Sequence, residues 1–63
     1  MEAFQQRVVD EKKDLDDKIE KLTKFQEGDV FTKLPIAEQE RMSRQLCFMV
    51  GYSSVLGERI AAF

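Results

Sequence analysis

The stretch that decides the fold is residues 42–63, which read MSRQLCFMVGYSSVLGERIAAF. Side chains at alternating intervals of four and three residues, all but one of them apolar, form an a/d heptad seam along it. The members of this seam are Met42, Leu46, Met49, Ser53, Leu56, Ile60 and Phe63. We therefore expect a long α-helix over about residues 35–62 that packs lengthwise against a second helix. Pro35 suits its first turn, where a missing N–H leaves no hydrogen bond unmade.

Upstream of it, residues 2–27 contain neither glycine nor proline and predict a first helix. Its apolar residues are separated by three, four or seven positions, which places them on one helical face. They are Phe4, Val8, Leu15, Ile19, Leu22 and Phe25. Three acids also precede a lysine by four residues, which favours ion pairs within the helix. The three pairs are Asp14 with Lys18, Asp17 with Lys21, and Glu20 with Lys24.

Residues 28–34 connect the two helices. We expect Gly28 to end the first helix in a left-handed conformation, and Val30, Phe31 and Leu34 to fold back over the end of the hairpin. A connection this short makes the helices antiparallel neighbours. The predicted fold class is therefore all-α, with residues 1–63 forming a single domain, an antiparallel two-helix hairpin.

The second helix has more apolar surface than one partner helix covers. It carries a second stripe, made of Phe48, Tyr52 and Val55, and a helix that is apolar nearly all round is a buried helix. We therefore predict that the hairpin self-associates into a symmetric helical oligomer, beginning with a two-fold dimer; the alternative is a monomer whose second stripe faces solvent. The predicted interface residues are Leu46, Phe48, Met49, Tyr52, Val55 and Leu56. Cys47 has apolar neighbours, so we expect a buried, unreactive thiol.

Composition argues against several function classes. The chain contains no histidine and a single cysteine, and its net charge is −2. Catalysis by a nucleophile and a histidine is therefore excluded, no metal ion or cofactor is expected, and an enzyme is the least expected outcome. The acids among residues 10–17 are expected on a solvated face. Duplex nucleic acid needs a broad basic face, and the longest uncharged run, residues 45–57, is too short to cross a bilayer.

Four residues are candidates for binding a ligand. Arg59 extends the second stripe near a helix C-terminus, where it either compensates the helix dipole or meets its symmetry copies around an anion such as phosphate. Arg7 and Lys18 either pair with acids or bind phosphate. Phe4 either plugs the core or stacks on a planar ring.

A resemblance to a known family covers nearly the whole chain. It rests on the runs FQQRVVDEKKDLDDKIEKLTKF at residues 4–25, FTKLP at 31–35 and RQLCFMVGYSSVLGERIAAF at 44–63. These resemble very small phage and prophage proteins, which are similar to the helical-hairpin domain of the phage anti-CBASS and anti-Thoeris nucleotide sponges. Such sponges form symmetric oligomers, often hexamers, and sequester the cyclic oligonucleotides of bacterial immune signalling without degrading them.

The resemblance implies roles for individual residues. Phe4 matches an aromatic that stacks on a base, where many relatives have tyrosine; Lys18 matches a lysine at phosphate, and Arg59 an arginine at a three-fold axis. With Arg7, they are expected to bind cyclic di- or trinucleotides in the cytoplasm of an infected bacterial host. The alternative is an oligomeric interaction protein that binds a host or phage protein and no small ligand. A small transcription regulator is disfavoured by the acidic charge balance.

Overall fold

The computed structural model describes residues 1–63 and contains three helices and no strand. Helix α1 spans Ala3–Gln26, a short helix α2 spans Asp29–Lys33, and helix α3 spans Ile36–Ala61. Helices α1 and α3 lie side by side and antiparallel, in a chain that measures 46 × 15 × 13 Å along its principal axes. The predicted all-α helical hairpin is confirmed, and both long helices end within one residue of their predicted bounds.

Helix α1 begins with a side-chain cap and ends without the glycine stop expected from the sequence. At its start, Gln5 Oε1 accepts a hydrogen bond of 2.8 Å from the backbone N–H of Glu2. At its end, Glu27 keeps right-handed helical angles, and Gly28 has φ −96° and ψ 168°. The prediction of a left-handed Gly28 is wrong, because its extended backbone leads the chain directly into α2.

The connection contains a short helix that covers one end of the hairpin. The rings of Phe25 and Phe31 meet edge to face, with centroids 6.3 Å apart, and Phe31 and Leu34 are half-buried. These two residues close the hairpin as predicted, whereas Val30 is 61% exposed and does not. Gln39 ties the connection to α3, because its Nε2 donates a hydrogen bond of 2.9 Å to the carbonyl of Leu34.

The core is a single seam between α1 and α3. The predicted heptad positions of α3 are buried or half-buried except for Phe63 at the end, and Leu56 and Ser53 are the most buried, at 1% and 8% exposure. The inward residues of α1 are also spaced by four and three. They are Val8, Lys12, Leu15, Ile19, Leu22 and Gln26. Phe4 and Phe25, predicted for this face, lie at its two ends and stay exposed.

One polar layer crosses this seam. The Lys12 ammonium donates hydrogen bonds to Ser53 Oγ at 2.7 Å and to Asp16 Oδ2 at 3.0 Å, and the Ser53 hydroxyl donates to Asp16 Oδ1. These bonds from Ser53 and Lys12 hold the pKa of Asp16 below its ordinary value of 3.8. Asp16 was expected on a solvated acidic face, but its carboxylate also accepts hydrogen bonds from Lys12 and Ser53 at the edge of the core. Sliding one helix along the other would separate these partners, so the layer favours the observed register.

The face of α3 opposite the core is uncovered. Phe48 and Val55 are 71% and 52% exposed, as expected for a stripe that α1 does not cover. Tyr52, the third member of that stripe, is 47% exposed and lies at its edge, beside α1. Cys47 is exposed as well. The prediction of a buried thiol is therefore wrong for one chain, because α1 covers one side of α3 and Cys47 lies on the other. No helix combines the length and apolarity needed to span a membrane.

Candidate functional site

Two of the candidate cations, Arg7 and Lys18, line one shallow depression between the long helices. They are eleven residues apart on α1, about three helical turns, so they share a face at an axial separation of about 16 Å. Tyr52 borders the same depression from α3. Its volume of ≈ 490 Å³ is in the range of small-molecule sites.

Neither cation takes part in an ion pair. The predicted pair of Asp14 with Lys18 does not form, whereas the other two predicted pairs do, with N–O distances of 3.1 and 2.9 Å. Asp10, Glu11 and Asp14 nevertheless line the depression beside Arg7 and Lys18. Because three acids there outnumber two cations, an anionic ligand requires further positive charge from elsewhere in the chain or from another copy.

Phe4 lies outside this depression, at the open end of the hairpin. Its ring packs edge to face on that of Phe63, with centroids 6.0 Å apart and an interplanar angle of 76°. Phe4 is still 52% exposed. Its ring therefore covers the end of the hairpin and also keeps a surface on which a ligand could stack. It precedes Lys18 by fourteen residues, which is an axial separation of about 21 Å. One chain therefore does not bring Phe4 and Lys18 to the same nucleotide.

Arg59 lies at the same end of the hairpin as Phe4, in the last turn of α3. It precedes Phe63, the contact of Phe4, by one helical turn. Its side chain is exposed and forms no ion pair. The free guanidinium is compatible with both predicted roles, compensation of the helix dipole and binding of an anion between symmetry copies.

The six predicted interface residues divide into two groups of three. Leu46 and Met49 are half-buried in the seam with α1, and Leu56 is only 1% exposed. Leu56 is thus a residue of the hairpin core, because α1 leaves it no surface for a partner. The three that present exposed surface are Phe48, Tyr52 and Val55.

A second depression, which the sequence reasoning missed, runs along α3. It measures ≈ 400 Å³ and is lined by Arg41, Arg44, Gln45, Phe48, Met49 and Tyr52. Tyr52 lines both depressions, which together form what we call the Tyr52 face. Arg41 pairs with Glu38, with Nε and Oε1 2.8 Å apart, whereas Arg44 has no acid partner. Spacings of three and four residues between Arg41, Arg44, Phe48 and Tyr52 were the available signal in the sequence.

The Tyr52 face combines solvent-exposed aromatic rings with cations that have no acid partner. Aromatic rings bind nucleobases by stacking, and guanidinium and ammonium groups bind phosphate through charge-assisted hydrogen bonds. The free cations of this face are Arg7, Lys18 and Arg44. Such a surface offers stacking and phosphate contacts to a ligand that carries planar rings and negative charge, while Asp10, Glu11 and Asp14 beside Arg7 and Lys18 oppose that charge.

Comparison with known proteins gives one match. A family model described as Sequestin matches residues 2–62, which is nearly the whole chain. No curated protein and no solved structure matches the chain significantly.

Proposed function

The chain belongs to the Sequestin family, and we propose that it binds and sequesters cyclic oligonucleotide signals without cleaving them. The family name is compatible with sequestering a molecule, and the resemblance to phage nucleotide sponges supports the ligand class. The proposed setting is the cytoplasm of a phage-infected bacterium. There the protein lowers the free concentration of an immune signal and so acts as an immune-evasion protein.

The observation that carries this proposal is the set of unpaired cations around Tyr52. Arg7 and Lys18 on one side and Arg44 on the other have no acid within ion-pair distance. A phosphate that accepts hydrogen bonds from such a cation gains about 1.5–3 kcal/mol per bond. A base that stacks on an aromatic ring adds about 1–3 kcal/mol. A cyclic nucleotide offers both groups in one ligand.

Self-association is part of the same proposal. Phe4 and Arg59 lie at one end of the hairpin, and Lys18 lies about 21 Å from Phe4 along α1, so a single chain does not unite the candidate residues. Packing between copies brings residues from different hairpins to one ligand. In a hexamer like those of the sponges, Arg59 side chains around a three-fold axis would each meet one phosphate of a cyclic trinucleotide.

The exposed stripe also supports a second candidate function. Phe48 and Val55 are apolar, lie on the same side of α3 and are 71% and 52% exposed. Exposed apolar patches are typical of protein–protein contact sites. An oligomeric hairpin that binds a host or phage protein, and no small ligand, would use this surface.

Calorimetric titration against a panel of cyclic di- and trinucleotides tests the first proposal. We expect saturable heat with at least one member, and recovery of the ligand intact after the protein is denatured. Absence of heat across the panel, at concentrations where the oligomer is intact, would refute it for those ligands. Recovery of linear products would instead show cleavage. A host protein retained by the oligomer after nuclease treatment and after Arg59→Ala would favour the second candidate.

A further inference from the structure

Gly51 lies in the middle of α3, and no contact within the chain requires a glycine at this position. Glycine destabilises a helix interior relative to alanine, so a mid-helix glycine calls for a packing explanation. A methyl group at Gly51 would point into open space, since no atom lies within 4 Å apart from its chain neighbours and the backbone of its own helix. Close approach of a backbone from outside the chain would explain the glycine, because a residue without a side chain leaves room for it.

Two unpaired charges stand symmetrically about Gly51. Arg44 precedes it by seven residues and Glu58 follows it by seven. Seven residues are nearly two full turns, so the three side-chain positions align on one face, about 10.5 Å apart. Neither Arg44 nor Glu58 forms a side-chain hydrogen bond or an ion pair within the chain. Each charge therefore remains available to a partner outside the chain.

The surface between the two charges is mainly apolar, with Ser54 as an exposed polar member. Phe48 is 71% and Val55 52% exposed, and Cys47 is an exposed free thiol. These residues stand three or four positions before or after Gly51, on the face turned away from α1. The face therefore has Gly51 at its centre, mainly apolar residues on either side, and one charge of each sign at its ends. Such a face is complementary to a second, antiparallel copy of itself.

We propose that two copies pair through α3, antiparallel, about a two-fold axis at Gly51. Arg44 of each copy then faces Glu58 of the partner subunit, and the apolar residues of both copies are covered between two reciprocal ion pairs. A parallel arrangement would place like charges opposite one another, which is unfavourable. This geometry rests on the self-association proposed above, gives it a partner and a register, and requires no bound ligand. Because it uses Arg44 and Phe48 at the interface, it leaves Arg7, Lys18 and Tyr52 as the members of the Tyr52 face that can contact a ligand.

Charge reversal tests the pairing by sedimentation at micromolar concentration. Arg44→Glu alone places two acids opposite each other and should abolish the dimer, and Glu58→Arg alone should do the same with two cations. The double variant restores complementary pairs and should dimerise. A mixture of the two single variants should form heterodimers, because every facing pair is then opposite in charge. Lys33→Glu, an exposed unpaired cation on α2, is the matched control and should leave the dimer unchanged.

Substitution of the glycine gives an independent test. Gly51→Leu should abolish dimerisation while circular dichroism shows that the helices are retained, since the single chain has open space at this position. A wild-type chain that sediments as a monomer would overturn both this geometry and the self-association proposed above. Self-association that survives Arg44→Glu and Gly51→Leu would overturn the Gly51 axis alone. A wild-type chain that dimerises but binds no cyclic nucleotide would count against the proposed function and not against the Gly51 axis.

Discussion

Lys12 and Ser53 come from opposite helices and meet across the hairpin core, where the Lys12 ammonium lies 2.7 Å from Ser53 Oγ. Ser53 is the one polar member of the α3 seam, and Lys12 occupies the facing level of the α1 seam. Asp16 completes the layer by accepting hydrogen bonds from both. The layer gives the two apolar seams a defined register, which apolar contacts alone specify weakly because they are not directional.

Ser53→Ala is expected to lower the free energy of unfolding by about 1 kcal/mol, because both hydrogen bonds of the hydroxyl are lost. Urea denaturation followed by circular dichroism measures this change. Ser43→Ala is the matched control, since Ser43 lies on the same helix, exposed and without a side-chain hydrogen bond. Equal effects of the two substitutions would show that the polar layer does not stabilise the hairpin.

Asp16 makes stability depend on pH at the acidic end. Its pKa lies below the ordinary 3.8 in the folded chain because Ser53 and Lys12 donate to the carboxylate. The ionised form therefore stabilises the fold above about pH 3.8, and this stabilisation is lost as the pH falls through the lowered native pKa. Denaturation curves from neutral to strongly acidic pH should show the loss. Asp16→Asn should reduce the dependence, whereas Asp14→Asn, at a carboxylate without a side-chain hydrogen bond, should retain it.

Leu56→Ala should destabilise the chain by about 2–5 kcal/mol, the range for removing a fully buried leucine side chain. For a hairpin this small, that loss is expected to unfold much of the population. The neighbouring Val55→Ala should change stability by less than about 0.5 kcal/mol, because Val55 is 52% exposed and Leu56 1%. Thermal melts at a concentration where the chain is monomeric compare the two. Similar melting temperatures would contradict the assignment of Leu56 to the core.

Lys18→Ala should weaken binding of the preferred cyclic nucleotide by about tenfold or more, because a charge-assisted hydrogen bond to phosphate contributes about 1.5–3 kcal/mol. Lys13→Ala is the control, since Lys13 lies on the same helix, exposed and unpaired, but outside the Tyr52 face. Calorimetry should show a change for Lys18→Ala alone. If both variants lose the same affinity, the effect is one of overall charge, and the Tyr52 face is not the site.

The candidate site was predicted only in part. Helical spacing shows which residues of one helix share a face, but it does not show which residues of two helices lie side by side. Arg7 and Lys18 were identified from α1 and do share a depression. Tyr52 was expected at an oligomer interface, and its position beside them became visible only when α3 was set against α1. The spacing of Arg44 from Phe48 and Tyr52 was visible in the sequence, but Arg44 was missed because its significance depends on lacking an acid partner. Sequence spacing does not show which acids and bases meet.

The amino-acid sequence by itself determined the two long helices, their antiparallel order and the α3 seam. These properties are local, because a repeat of three and four residues follows directly from helical geometry and a short connection permits one arrangement. The tertiary structure decided the inward position of Lys12, its polar layer with Ser53, the absence of an ion pair at Lys18 and the exposure of Cys47. Each of these depends on which side chain faces which across two helices, and that is set by the register and rotation of their packing.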